Sequence, residues 1–322
     1  MRNFSYILGC SMLCGFSHNF PSQTAQLLDR ARGLSRQFRE ETITDLLMGG
    51  IIASHSVGQI LVDFPNETAT GADMKWVFAN LGSGNCFTIL IQAKKLYLLP
   101  DKSWRDSYYR ELFYVPRKTG EAQAVTLYKS ALKYNSSAYP MYLFYNHLTA
   151  CQGARNSGVD SVSGVNAMNG VAAYILERLS HSVSPKVKLK RLGKLHKLFY
   201  KLPDILCLGK LRHVGPFSLF PGELASGPFY LRGKRMFVPE VPTPEEVVSQ
   251  LSASIFQDNS YTNLSNIFPE FADQIALENL GKDYFTPAVG PIPDDIHSLI
   301  KGDAYNSRDA RRSIVFVSNP TG

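Results

Sequence analysis

The run from Cys86 to Leu99 constrains this chain more than any other stretch of it. Its centre, Phe87-Thr88-Ile89-Leu90-Ile91-Gln92-Ala93, is rich in apolar and β-branched residues. A strand of that kind has to be covered on both sides, which places it inside a sheet sandwiched by helices rather than in a sheet with one wet face. Its neighbours fit. Gly82-Ser83-Gly84-Asn85 has the composition of a tight hairpin, so Ala72 to Ala79 reads as the preceding strand. Val57 to Phe64 alternates as an earlier strand, which predicts a three-strand meander.

Helical patterns flank this meander. Pro21 and Ser22 open a long helical stretch that Gly49-Gly50 should close, with Gly33 as a break point. Glu121 to Tyr134 reads as an amphipathic helix, Pro140 to Asn146 as a fourth strand and Val165 to Ser180 as another helix. The order predicts an α/β fold, a mixed central sheet flanked by helices. Ile205 to Leu208 and Ser313 to Val317 read as short strands, and the acidic, proline-rich stretch from Pro239 to Gly302 as partly helical. The expected organisation is a core over 1–182 followed by a basic helix and C-terminal additions over 183–322.

With 44% hydrophobic and 11% aromatic residues, the chain has the composition of a folded protein, and disorder is excluded. The formal net charge of +7 is carried by one segment, Lys186 to Arg212, which holds nine Lys or Arg against one acid. Read as a helix over Lys186 to Leu202, that segment puts Lys190, Lys194, Lys197 and Lys201 on one side and leucines on the other. Such a ladder suits nucleic-acid phosphates, with a solvated helix face as the bland alternative. Five cysteines at irregular spacing argue against a disulfide framework and for a reducing compartment. Cys10, Cys14 and His18 stand four apart, but a zinc site needs a fourth ligand, and buried thiols are the expectation. Polar residues interrupt the apolar N-terminal twenty, so no signal peptide is expected, nor any membrane span, and the chain reads as cytoplasmic.

Chemistry concentrates at Thr70-Gly71-Ala72-Asp73 and Ile91-Gln92-Ala93-Lys94. Residues two apart on a strand share a face, so Gln92 and Lys94 project together. Asp73, at the start of the preceding strand, lies across the hairpin near the Gln92 end. A carboxylate, an amide oxygen and an ammonium at one sheet end suit phosphodiester hydrolysis. A hard dication with oxygen ligands offsets the phosphate charge, and the ammonium orients water or stabilises the transition state.

These residues resemble the PD-(D/E)xK, or restriction-endonuclease-like, nuclease superfamily, in its variants with Gln as the second motif residue; the likeness spans Gln37 to Asn146. The resemblance implies a restriction-endonuclease-like core and a Mg²⁺ (or Mn²⁺) site made by Asp73, Gln92 and the Ala93 carbonyl, with Lys94 catalytic. It also implies an acidic residue from the first core helix, Glu41 or its neighbour Glu40. Glu41 is preferred because it falls beside Leu34 and Phe38 on the helical wheel. The implied activity is metal-dependent cleavage of nucleic acid, with DNA the expected substrate and bacterial defence or repair the setting. Two departures stand out: Ala72 occupies the place of the family's Pro, and Gln92 that of a second carboxylate. A catalytically inactive fold that binds nucleic acid or a protein partner is the alternative. No Walker loop, Gly-x-Ser-x-Gly elbow or His-Glu-x-x-His occurs, which removes the usual support for ATP phosphoryl transfer, serine hydrolysis and zinc proteolysis.

Overall fold

In a computed structural model the described residues are 12–34, 38–54, 60–63, 70–99, 101–117, 119–134, 137–208, 211–213, 237–239, 241–256, 260–279, 287–301 and 313–318. Two helices come first, α1 (Met12–Ala31) and α2 (Glu40–Ala53), then the strands β1 (Ile60–Asp63), β2 (Met74–Asn80) and β3 (Asn85–Lys95). α3 (Gln123–Leu132), β4 (Ala138–Tyr145), α4 (Leu148–Asn156), β5 (Val165–Asn169) and α5 (Gly170–Leu179) follow. The remainder comprises α6 (Leu192–Leu195), β6 (Tyr200–Lys201), α7 (Pro203–Leu206), β7 (Leu211–His213), β8 (Phe237–Pro239), α8 (Pro244–Phe256), α9 (Ser260–Ile267), α10 (Ala272–Asn279), β9 (Gly290–Pro291), α11 (Asp294–Lys301) and β10 (Ser313–Ser318). Among these no helix is long and apolar enough to cross a membrane.

The architecture is α/β: an eight-stranded mixed sheet in the order β1-β10-β2-β3-β4-β5-β6, with β9 pairing the start of β3. β10 is parallel to β2 and β3 is parallel to β4; the other pairs are antiparallel. β3 is buried over its whole length save its two ends, as a strand covered on both faces must be. The helix α2 lies on the face of Tyr145, whose hydroxyl meets that of Thr44 at 3.0 Å. On the opposite face, by strand alternation, Tyr109 and Phe199 pack on the Phe144 ring.

Several elements differ from expectation, each for a local reason. The meander is split: among the described residues β1 pairs with β10, which inserts between β1 and β2, so the C-terminal stretch supplies strands to the same sheet as the core. Of the expected first strand, 57–59 and 64 lie outside the described residues. Pro21 lies within α1 rather than opening it. The pair Gly49-Gly50 does not end α2, because Gly50 serves packing instead: a Cβ there would sit 2.1 Å from the Phe16 ring. Val165 to Ser180 is not one helix. The Asn169 side chain accepts from the Val171 N–H at 2.7 Å and caps α5, ending the strand before it. Ile205 to Leu206 is helical, within α7, not a strand.

The cysteine expectation also fails at one pair. A disulfide joins Cys14 of α1 to Cys207 at the end of α7, across 193 residues. Spacing along the chain could not reveal it, because only the packing of α7 against α1 brings the two together. Cys86 and Cys151 are free and buried, and Cys10 lies outside the described residues.

Candidate metal and phosphate site

β3 is longer than its neighbour, and the site is built where β2 stops. β2 begins at Met74, opposite Ile91, while β3 runs on to Lys95. The Asp73 N–H still donates to the Ile91 carbonyl, at 2.7 Å. Beyond that rung two carboxylates take the places a strand would fill. Asp73 Oδ2 accepts from the Ala93 N–H at 2.8 Å, and Glu40 Oε2 from the Lys95 N–H at 2.8 Å. Gly71 makes this approach possible. Its φ is +72°, and a Cβ would lie 2.8 Å from the Leu127 nitrogen in α3, so the chain can pass there only as glycine.

The structure brings Asp73, Gln92, Ala93, Lys94 and Glu40 together. Gln92 Nε2 donates to Asp73 Oδ2 and, at 3.3 Å, to the Ala93 carbonyl. Lys94 is 2% exposed, and its Nζ lies 3.5 Å from Glu40 Oε1. Of the two glutamates, it is Glu40 and not the preferred Glu41 that reaches Lys94; Glu41 is exposed. The wheel misled because α2 starts at Glu40, and Leu34, one of its two apolar anchors, is 55% exposed. The stripe that packs is Thr44, Leu47 and Ile51, and Glu40 is its next member one turn earlier.

Burial dominates the electrostatics. The Glu40 carboxyl is pushed up to about 7 by desolvation, with Asp73 and Glu111 adding to the rise and Lys94 and the Lys95 N–H opposing it. Tyr142, which pairs with Gln92 in the β3–β4 register, is driven above the ordinary phenol range by burial and by the Asp73, Glu40 and Glu177 carboxylates. Two oxygens here are buried without a hydrogen-bond partner, Gln92 Oε1 and the Tyr142 hydroxyl. Such orphans are costly unless something else meets them. Two carboxylates, a backbone carbonyl and an orphaned amide oxygen form a donor set of hard oxygens, which fits Mg²⁺ or Mn²⁺.

The sign of the Glu40 shift sets a pH prediction. Its folded-state pKa lies above the ordinary 4.5, so its contribution is fully present below about pH 4.5 and is lost as pH rises through 7. In metal-free buffer the thermal midpoint of Glu40→Gln should therefore gain on wild type between pH 4.5 and 7.5. A difference that stays flat across that window would show that Glu40 ionises as freely in the fold as in the unfolded chain.

Beside the cluster opens a cleft of about 430 Å³, lined by Glu40, Glu41, Lys95, Arg32, Arg39, Arg110, Glu111 and His147 among others. Arg110 stacks its guanidinium 4.1 Å over the Tyr97 ring. Lys95 Nζ donates to the Phe38 carbonyl at 2.7 Å, and burial holds its ammonium below the usual range. His147 contacts Asp29 Oδ1 through Nδ1 at 3.0 Å, while Asp29 Oδ2 also accepts from the Thr149 N–H and hydroxyl, both at 2.7 Å. Desolvation lowers the His147 pKa against the pull of Asp29. Sequence reasoning missed this pair, because 118 residues separate its members.

The lysine ladder is not a ladder. Lys186 to Lys201 breaks into a 3-10 turn, α6, another 3-10 turn and β6, so no continuous helix aligns the four ammonium groups. Lys190 Nζ donates to the Arg110 carbonyl at 2.9 Å and lies 4.8 Å over the Phe113 ring. Lys194 Nζ donates to the Ile267 carbonyl at 3.0 Å. These two tie loops to the core, and of the four only Lys197 and Lys201 are exposed. Arg32, Arg39, Lys95 and Arg110 line the cleft that Glu40 also lines.

Compared with known families, the sequence matches the profile of a family of unknown function, DUF6615, over residues 13–317. No curated protein matches it.

Proposed function

We propose that this chain, which belongs to the DUF6615 family, is a metal-dependent phosphodiesterase acting on nucleic acid, with DNA the expected substrate. One observation carries the reading: Asp73, Glu40, the Ala93 carbonyl and the orphaned Gln92 oxygen gather with the buried Lys94 where β3 runs past β2, beside a cleft that carries Arg32, Arg39, Lys95 and Arg110 as well as Glu41 and Glu111. Bound there, Mg²⁺ would supply charge neutralisation for the scissile phosphate. Asp73 and Glu40 would hold the dication, with the unpartnered Gln92 side-chain oxygen and the Ala93 carbonyl as further oxygen donors. Lys94 Nζ, whose acidic partner among the described residues is Glu40, would donate to a phosphate oxygen or to the attacking water. Arg32, Arg39 and Arg110 take the flanking phosphates, which positions the strand without reading its bases. Gln92 also gives a specific ground for the binding-only alternative, because its amide now donates to the Asp73 oxygen a metal would need.

Purified protein with plasmid and linear duplex DNA should show cleavage in Mg²⁺ or Mn²⁺ and none in chelator. Tight DNA binding without cleavage in either metal would overturn the hydrolytic reading in favour of the binding-only one. The triple variant Arg32→Gln, Arg39→Gln, Arg110→Gln should flatten the dependence of log affinity on log salt. Each phosphate no longer neutralised should take about 0.9 off the slope, up to roughly 2.7 for all three. A slope that does not move would remove this cleft as the phosphate track.

A further inference from the structure

A second cluster of ligating side chains lies apart from the carboxylates and is of the opposite chemical character. Cys14 and His18 stand one turn apart on α1, and Cys207 closes α7. The two sulfurs and an imidazole nitrogen all lie within 4.8 Å of one another. Cys14 is buried, Cys207 half-buried and His18 exposed, so the group opens to solvent through the imidazole.

We propose that Cys14, His18 and Cys207 are a redox-gated site for a borderline-soft divalent cation, Zn²⁺ by preference. Two thiolates and an imidazole select zinc over magnesium, just as the oxygen donors around Asp73 select the reverse. Around one tetrahedral zinc, with Zn–S about 2.3 Å and Zn–N about 2.0–2.1 Å, ligand atoms stand roughly 3.3–3.8 Å apart. The three ligand atoms already lie within 4.8 Å of one another. In the oxidised chain the sulfurs are bonded to each other and the site is closed. A dithiol reductant opens it: two electrons and two protons pass to the cystine, giving two thiols, and the reductant leaves as its own disulfide. Zinc then binds the two thiolates with release of two protons, His18 supplies the third ligand, and water fills the fourth position. Either state joins α1 to α7, so the choice between them changes the chemistry of the link and not the connection. The inference stands independently of the nuclease reading.

The test uses full-length protein in two forms, oxidised and phosphine-reduced, titrated with Zn²⁺ alone against a chromogenic chelator. The reduced form should take up one equivalent more than the oxidised form and release two protons on doing so. Co²⁺ in its place should give a thiolate-to-metal charge-transfer band that the Cys14→Ser, Cys207→Ser variant lacks. His18→Ala should weaken the reduced form's Zn²⁺ affinity by at least about tenfold; since His18 is exposed, the variant keeps its fold. Reduced wild type that binds Zn²⁺ no better than the Cys14→Ser, Cys207→Ser variant would overturn the proposal and leave a plain structural disulfide. Full affinity in His18→Ala would overturn it equally, since the three-ligand site would then not exist.

Discussion

Lys94→Met should lose metal-dependent cleavage by about 10²–10³-fold or more in kcat, the scale seen when one charge-stabilising donor is removed from an active site. The fold should survive. Lys94 is 2% exposed and its ammonium meets a carboxylate at 3.5 Å, so Met fills the same slot with its flexible chain. A buried ion pair is in any case weak support for stability, and replacing one partner with an apolar isostere here leaves a Glu40 that is already easy to protonate. Asp73→Asn should lose activity as completely by a different route. Its remaining oxygen keeps the Ala93 N–H satisfied while the charge that would hold a dication is gone. Purified variants with wild-type melting curves and wild-type rates would remove both residues from the mechanism. If both variants lose cleavage yet bind DNA as wild type does, the loss is chemical.

Gly164→Ala should be the costliest small substitution in the fold, at about 3 kcal/mol, the upper end of what overpacking exacts. A Cβ at Gly164 would sit 1.7 Å from the Pro21 carbonyl oxygen, 2.7 Å from its carbon and 2.9 Å from the Ala25 methyl. Two of these are backbone atoms, which cannot swing aside. The displacement would also strain the Asn146 N–H to Gly164 carbonyl bond of 2.9 Å, and Asn146 in turn accepts from the Tyr109 hydroxyl at 2.6 Å. Gly49→Ala is the matched control: nothing lies within 4 Å of its Cβ, it is helical, and it should gain up to about 1 kcal/mol. Denaturant midpoints of the two variants measure the contrast; equal midpoints would mean α1 retreats freely from the sheet.

What could be read from the sequence was local. Period-two alternation put Gln92 and Lys94 on one face of β3, and the glycine hairpin set Asp73 opposite their end; the structure places them so. Glu40 was misjudged because a helical wheel needs a continuous helix, whereas α2 starts only at Glu40 and Leu34 lies outside it. The Val165–Ser180 run is buried nearly throughout, so its apolar residues carry no period to separate strand from helix. The lysine spacing likewise looked periodic without a helix beneath it. Contacts across long separations, Asp29 with His147 and Cys14 with Cys207, left no trace in spacing at all.

The insertion of β10 between β1 and β2 has a consequence in time. Among the described residues β1 has no partner other than β10, which emerges from the ribosome some 250 residues later. At about 5–20 residues per second, that is on the order of 10–50 seconds of translation. For that interval β2 offers an open apolar edge and β1 hangs unpaired, the condition in which nascent chains stick to one another. The arrival of β10 is thus what joins β1 to the rest of the sheet.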